Sequence, residues 1–394
     1  MCVNRLNNRS RLNARNNLGN DNSRSVGIAH HETENFILMS SLRDLWQELC
    51  SYDNLFLAYT KARKHKTRKD YIIEFEKNLK DNLLLLRSEL SLHCYDPKPL
   101  VNFTIHDPKM RKISKSDFRD RVIHHALCNI IEPIFEKTFI YDSYANRINK
   151  GALKAIDRFD RFKRKVTRNN TLRCYVLKAD IRKYFDNIEH EILLSIIKKR
   201  IFDKRVIWLI RKILANPSSS DKGMPLGNLT SQFFANVYLN ELDYFVKHKL
   251  KARYYIRYVD DFVIFNTDAE ILEDYKRQIN LFLREKLDIE LHPEKSKVLR
   301  LSERLTFLGF RIFYHHKLLK KSNMVRMKGR IEALKQEYAE KKMDYDSIYD
   351  FLEGWIAYAK NADTYNLRKR IMAEVSEAFC GEISTKEINR FLKE

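Results

Sequence analysis

Apolar residues recur at helical spacing along most of this chain, and only a few short stretches alternate or run apolar without a break. From Phe36, the residues Leu42, Leu45, Trp46 and Leu49 mark a first helix. Residues 72–92 mark a second, which stops before Asp96-Pro97-Lys98-Pro99. Residues 100–113 (LVNFTIHDPKMRKI) alternate and are split at Asp107-Pro108, which predicts a hairpin. Helices are predicted over 117–137, 154–165, 190–201, 205–214, 229–250 and 270–287. Between them, 173–179 (RCYVLKA) reads as a buried strand ending on Asp180, and 253–265 (RYYIRYVDDFVIF) as two strands meeting at Asp260-Asp261. Residues 296–301 and 305–313 (LTFLGFRIF) each read as one further strand, and the remainder is helical and densely charged.

The central order of strand, helices, hairpin, helix and strand predicts the α+β class, with a split βαββαβ unit. This is a ferredoxin-like antiparallel sheet with helices packed on one face. Residues 1–36, rich in Asn, Arg and Ser without apolar periodicity, form a predicted flexible tail. The rest divides into N-terminal helices over 37–170, the sheet region over 171–313 with its loop and helix at 216–250, and C-terminal helices over 314–394.

Charge changes the picture. Lys and Arg total 74 against 52 Asp and Glu, a net charge of +22, and a polyanionic partner would relieve that self-repulsion. Nucleic acid is the first candidate, an anionic membrane the second, and a soluble basic protein without either the plain alternative. The cations cluster at 61–69 (KARKHKTRK), on one face of 154–165, and at 317–330, where six stand without an acid. A solvated helix face is the ordinary explanation of any one such run taken alone. The 44% apolar content supplies a large core, and 9 Gly with 7 Pro exclude collagen and turn-dense sandwiches. Six scattered cysteines lack metal-ligand spacing, and no apolar run reaches the ~20 residues of a membrane span. A reduced, soluble protein of the cytoplasm is expected.

The chemistry is concentrated in three carboxylates. In a ferredoxin-like sheet the first strand lies beside the hairpin, so Asp180 and Asp260-Asp261 share one edge although 80 residues separate them in sequence. Clustered carboxylates repel unless cations lie between them, and hard oxygen ligands favour Mg²⁺. Two such ions form the apparatus of in-line phosphoryl transfer. Taken separately, an Asp pair at a turn is also ordinary turn chemistry.

Tyr258-Val259-Asp260-Asp261 between apolar strands resembles the Y-x-D-D box of reverse transcriptases. Leu177-Lys178-Ala179-Asp180, with Tyr184-Phe185-Asp186-Asn187-Ile188 and His190, resembles that family's first aspartate motif. Arg111, Asp117-Phe118-Arg119-Asp120-Arg121 and His124-His125 resemble its fingers motif. Leu291-His292-Pro293-Glu294-Lys295 and Phe307-Leu308-Gly309-Phe310 resemble the two blocks after the Y-x-D-D box, and Gly354-Trp355 with Tyr358 the helical thumb.

The resemblance implies a right-hand polymerase fold with a ferredoxin-like palm, helical fingers and helical thumb. It implies two Mg²⁺ ions, with Mn²⁺ as a substitute, held by Asp180, Asp260, Asp261 and the Ile181 carbonyl. Phe185 becomes a steric gate against the ribose 2′-hydroxyl, Lys109 and Arg111 a triphosphate clamp, and Lys295 a cation or proton donor for pyrophosphate. Lys64, Lys66, Arg161, Arg164, Lys320, Lys321 and Arg326 would follow phosphates of template RNA and nascent cDNA, with dNTPs as substrates.

Met224-Pro225-Leu226-Gly227-Asn228-Leu229-Thr230-Ser231-Gln232 carries the finer distinction. Group II intron and retron enzymes typically read Pro-Gln-Gly there, with Ser-Pro further on. Leu226, Gly227 and Gln232 instead resemble the reverse transcriptases of diversity-generating retroelements. That likeness implies error-prone copying of a template-repeat RNA in a bacterial host and a small basic accessory protein that forms a ring. A stand-alone or antiphage-defence reverse transcriptase is the rival within the class, and a non-catalytic RNA-binding scaffold the rival outside it. No nuclease motif follows the thumb-like helices, so a complete mobile-intron protein is not expected.

Overall fold

The computed structural model describes residues 45–106, 110–216, 221–303, 305–379 and 383–393. The expected tail over 1–36, the start of the first helix, Lys109 and the tip of the 216–227 loop lie outside the described residues.

The N-terminal part holds helices α1 (Leu45–Leu49), α2 (Tyr52–Arg63), α3 (Asp70–Lys77) and α4 (Leu79–Ser91), then the hairpin β1 (Val101–Ile105) and β2 (Arg111–Lys115). Helices α5 (Phe118–Glu136) and α6 (Ala152–Val166) follow. The helix expected over 72–92 is two helices. Asn78, at φ −126° and ψ 44°, leaves the helical region and breaks the run. Asp117 starts α5 by accepting a hydrogen bond from the Arg119 amide, a cap worth about 1 kcal/mol.

The central part contains β3 (Tyr175–Ala179), α7 (His190–Lys198), α8 (Lys204–Ala215), α9 (Leu229–Tyr244), β4 (Tyr255–Tyr258), β5 (Asp261–Asn266), α10 (Ala269–Leu287) and β6 (Lys297–Arg300). Its sheet is antiparallel throughout, in the order β4-β5-β3-β6, which is the ferredoxin-like order expected. The first strand, β3, lies between the hairpin and the last strand.

One expectation fails here. Helices do not cover a single face of this sheet, because both faces are apolar. Leu177, Phe262 and Ile264 join a core with Leu272, Ile279 and Leu283 of α10, while Val176, Val263 and Phe265 join a second core with Ile156, Phe159 and Phe162 of α6. Strands with apolar residues at both parities must be buried on both sides.

The stretch 305–313 is likewise two strands rather than one. β7 (Leu305–Phe307) and β8 (Phe310–Ile312) fold back at Leu308 and Gly309, both at positive φ, and β9 (Lys317–Leu319) completes a three-stranded sheet. Helices α11 (Lys321–Ala339), α12 (Tyr345–Ala359), α13 (Tyr365–Ala378) and α14 (Thr385–Leu392) then close around their own core of Ile331, Leu352, Ile371 and Phe379. Among the described residues no helix is long and apolar enough to cross a membrane.

Candidate active site

The three aspartates meet through strand pairing. β3 runs beside β5 with Ala179 opposite Phe262, so Asp180 leaves β3 next to Asp261, the first residue of β5. Tyr258 pairs with Asp261, which puts Val259 and Asp260 in a two-residue turn. Burial pushes the Asp260 carboxyl up to about 6, and the charge of Asp180 adds to the effect. Burial likewise pushes Asp261 up to about 7; Lys178 opposes this, while Asp180 and Asp260 add to it. The Asp261 Oδ1 is buried and receives no hydrogen bond. A buried carboxylate oxygen without a donor, among other carboxylates, is chemistry that a hard divalent cation satisfies. The chemistry of these aspartates suits a metal, although among the described residues no three His, Cys, Asp or Glu side chains are grouped so as to hold one.

Cations face the cluster. Lys295 Nζ lies 3.1 Å from Asp180 Oδ2, and Lys295 and Arg111 both draw the Asp260 carboxyl down against its burial. Arg111 belongs to an exposed strand far away in sequence, so the β1–β2 hairpin folds over the aspartates. The segment carrying Lys295 is tied to Asp180 by its backbone. The His292 amide donates to the Asp180 carbonyl at 2.7 Å, and the Arg182 amide donates to the Glu290 carbonyl at 3.0 Å. This bridge between Ile181 and Leu291 uses the carbonyl of Asp180 and the amide of Arg182, not the Ile181 carbonyl. Ser296 completes the tie: its hydroxyl accepts from the Asp180 amide at 3.3 Å and donates to the Asp180 carbonyl at 3.2 Å.

The Phe185 side is built by a loop. Phe185 is half-buried against the main core, and its carbonyl accepts from the Met224 amide at 2.7 Å. His190 Nε2 lies 2.7 Å from the Gly223 carbonyl, and the Gly223 amide donates to the Ile188 carbonyl at 2.8 Å. These bonds set residues 223–228 between Phe185 and the hairpin. There the Leu226 carbonyl accepts from the Ser114 amide of β2 at 2.9 Å, and the Asn228 Oδ1 accepts from the Ser116 hydroxyl at 2.8 Å. Gly227, at φ +115°, lies so close to β2 that an added Cβ would come within 2.8 Å of Ile113 Cγ2. Gln232 is exposed on the first turn of α9.

The Asp117–Arg121 block serves the fold instead. Asp120 is fully buried and accepts from the Tyr95 hydroxyl and the Lys98 amide, each at 2.9 Å. Arg119 pairs with Glu89, and Arg121 stacks over Tyr71. Lys64, Lys66, Arg161, Arg164, Lys320, Lys321 and Arg326 are all exposed. Lys317 is not available in the same way: it pairs with Asp160 at 2.5 Å.

Several residues of this site escape a motif-based reading. Ser296 adjoins Lys295 but carries no charge to attract notice. Arg257, Asp243 and Asn236 are buried polar side chains beneath the Asp260 turn. Their one sequence signal is a charged residue inside the otherwise apolar run of β4 and another inside α9.

Three comparisons bear on this geometry. The family model described as reverse transcriptase (RNA-dependent DNA polymerase) matches residues 103–312. Protein YkfC of Escherichia coli K12 is 26% identical over 273 residues, covering 58% of this chain and 71% of that protein. The group II intron-encoded protein LtrA of Lactococcus lactis subsp. cremoris is 26% identical over 313 residues, covering 60% of this chain and 50% of that protein. The chain thus spans about half the length of this intron-encoded relative. Among solved structures, telomerase from Candida albicans in complex with a telomeric RNA fragment overlays with a TM-score of 0.48 at 10% identity, over 78% of this chain and 62% of that one. The family match spans more than half of the chain and contains the whole aspartate-bearing sheet, so this chain belongs to the reverse transcriptases, the RNA-dependent DNA polymerases.

Proposed function

We propose that this chain copies an RNA template into DNA at the Asp180, Asp260 and Asp261 edge, by nucleotidyl transfer assisted by two Mg²⁺ ions, for which Mn²⁺ substitutes. The carrying observation is the convergence of three carboxylates at one sheet edge, with a buried Asp261 oxygen that no protein donor reaches. Asp180, Asp260, Asp261 and the Ile181 carbonyl would hold the ions. Bound there, Mg²⁺ would lower the pKa of the primer 3′-hydroxyl and stabilise charge on the departing pyrophosphate.

The chain's own residues do the rest. Arg111, with Lys109, binds the triphosphate by charge-assisted hydrogen bonds. Lys295 supplies a cation or a proton to the leaving pyrophosphate. Phe185 occupies the volume of a ribose 2′-hydroxyl and so selects deoxynucleotides. Residues 37–170 act as fingers, 171–313 as palm and 314–394 as thumb, and the exposed cations follow template and cDNA phosphates. Primer extension on RNA with Mg²⁺ tests this reading. Asp260→Ala and Asp261→Ala are each expected to lower the rate by about a thousandfold or more, the scale of losing a principal electrostatic contribution. Unchanged activity in both would sink it.

The finer proposal is a reverse transcriptase of the diversity-generating type in a bacterial cytoplasm, working with a small basic ring-forming protein on a template-repeat RNA. Leu226 and Gln232, standing where intron and retron enzymes carry Gln and Pro, support it. An aliphatic residue beside the nascent base pair removes a hydrogen bond that would check geometry, so errors opposite adenine rise. Leu226→Gln is expected to lower misincorporation at template adenines, and no change there overturns the fidelity argument. Flanking DNA should hold two near-identical repeats that differ where one carries adenine. Absence of such a pair favours the defence reading.

A further inference from the structure

Beneath the turn that presents Asp260 lies a polar network with no contact to solvent. Among the described residues Arg257 is the largest fully buried side chain, and Asp243 is equally inaccessible. The guanidinium grips Asp243 with two bonds, Nε to Oδ1 at 2.7 Å and Nη2 to Oδ2 at 2.6 Å. The Tyr255 hydroxyl also donates to Asp243 Oδ1, at 2.7 Å. The remaining nitrogen, Nη1, donates to Asn236 Oδ1 and to the carbonyl of Val259, each at 3.1 Å. Asn236 is itself held by donating to the Ala145 carbonyl at 2.8 Å. The backbone of Arg257 is clamped too: its amide donates to the Asp142 carbonyl at 3.0 Å, and its carbonyl accepts from the Tyr144 amide at 2.9 Å.

The residue at the far end of this network is strained. Val259 has φ +55°, in the left-handed region that β-branched side chains avoid. It immediately precedes Asp260, so any relaxation of its φ toward negative values would swing the aspartate away from Asp180 and Asp261. A buried ion pair is weak evidence for added stability, since its desolvation cost is large. Here the pair has a geometric use: Asp243 neutralises and orients a guanidinium whose free corner ends on the strained carbonyl.

We propose that Arg257 is a positioning residue for the catalytic turn, holding Val259 left-handed through its carbonyl, with Asp243 and Asn236 fixing the guanidinium. This rests on Asp260 and Asp261 being the catalytic pair.

The test separates position from stability. Replacing Arg257 alone would strand a buried aspartate, so the variant is Arg257→Gln with Asp243→Asn, which removes both charges together. Primer extension with Mg²⁺ is expected to show kcat lowered by about a hundredfold, the cost of misplacing a catalytic group by roughly 1 Å, with KM for dNTP within about threefold. Mn²⁺ binding, followed by the loss of free-ion paramagnetic resonance signal, is expected to weaken about tenfold or more.

Adding Val259→Asn to that variant supplies a residue that tolerates left-handed φ. It is expected to recover at least about tenfold in kcat and to restore Mn²⁺ affinity, without raising the melting temperature correspondingly. Full kcat in the charge-deleted protein would overturn the proposal. So would a loss that Val259→Asn leaves untouched. If Asp260→Ala kept full activity, the catalytic reading itself would fall, independently of the Arg257 result.

Discussion

Two pairs of titratable side chains are held away from their ordinary charge state. Asp260 and Asp261 are carboxylates whose charged forms are disfavoured by burial and by neighbouring carboxylates, Asp180 for both and Asp260 for Asp261, at a place where cations converge. His124 and His125 are imidazoles kept neutral inside α5. Burial pulls them down to about 3 and about 4, and the charges of Arg121, Lys61 and Lys66 add to the effect. The second pair has a consequence for stability. An unfolded chain binds protons at its histidines below about 6.5, whereas these two remain neutral in the folded state until about 4 and 3. The stability they allow is full above about pH 6.5 and is lost as pH falls through that window. Asp260 and Asp261 act in the opposite sense, because carboxylates raised above 3.8 make the fold less stable as pH rises toward 7. The two contributions are separated by comparing the wild type with His125→Gln in urea unfolding at pH 7.5 and pH 5. The variant should lose less stability on acidification, and an equal loss would remove His125 from the account.

Among the elements, the contact between the β1–β2 hairpin and the 223–228 loop links Arg111, proposed above as a triphosphate clamp, to Phe185. It runs through the backbone bond from Ser114 to Leu226, the bonds from Ser116 to the Asn228 side chain, and the close approach at Gly227. Ile113 leaves no room for a methyl group there, and φ +115° is a conformation that L side chains rarely adopt. Gly227→Ala should therefore push the hairpin and loop apart while leaving the sheet intact. Its expected signature is a KM for dNTP raised about tenfold, with a stability cost of about 1–3 kcal/mol. A normal KM beside a lowered melting temperature would show that the contact serves the fold alone. The turn at Leu308 and Gly309 repeats the pattern at the C-terminal helices. An added Cβ on Gly309 would come within 2.6 Å of the Tyr358 hydroxyl, which itself accepts from Asn323 Nδ2 at 2.9 Å.

At the scale of the whole molecule, the +22 charge includes exposed cations at Lys64, Lys66, Arg161, Arg164, Lys320, Lys321 and Arg326. Phosphate contacts release counterions, so binding of an RNA–DNA duplex should weaken steeply with salt. Replacing Lys64, Lys66, Arg161 and Arg164 with glutamine should flatten the plot of log affinity against log salt by roughly 0.7–0.9 per lost contact. Fluorescence anisotropy at several salt concentrations measures this, and an unchanged slope would place the template elsewhere. Lys317 is left out of that set because Asp160 already neutralises it.

Periodicity and motif order along the chain were enough to determine the central sheet, its strand order and the meeting of Asp180 with Asp260 and Asp261. Short apolar runs and the order of their connections can be read along the chain, and the aspartates sit at the ends of those runs. The break at Asn78 and the turn at Leu308-Gly309 were not legible, since each depends on only one or two residues leaving an otherwise continuous pattern. The second covered face was written in residues such as Val176 and Val263, but apolar runs do not say what will bury them. Only the tertiary structure decided that Ser296 holds Asp180, that Gly227 lies against Ile113, and that Arg257 reaches the carbonyl of Val259. Each of these joins residues through one or two hydrogen bonds or one close approach, and such contacts exist only after distant segments have packed.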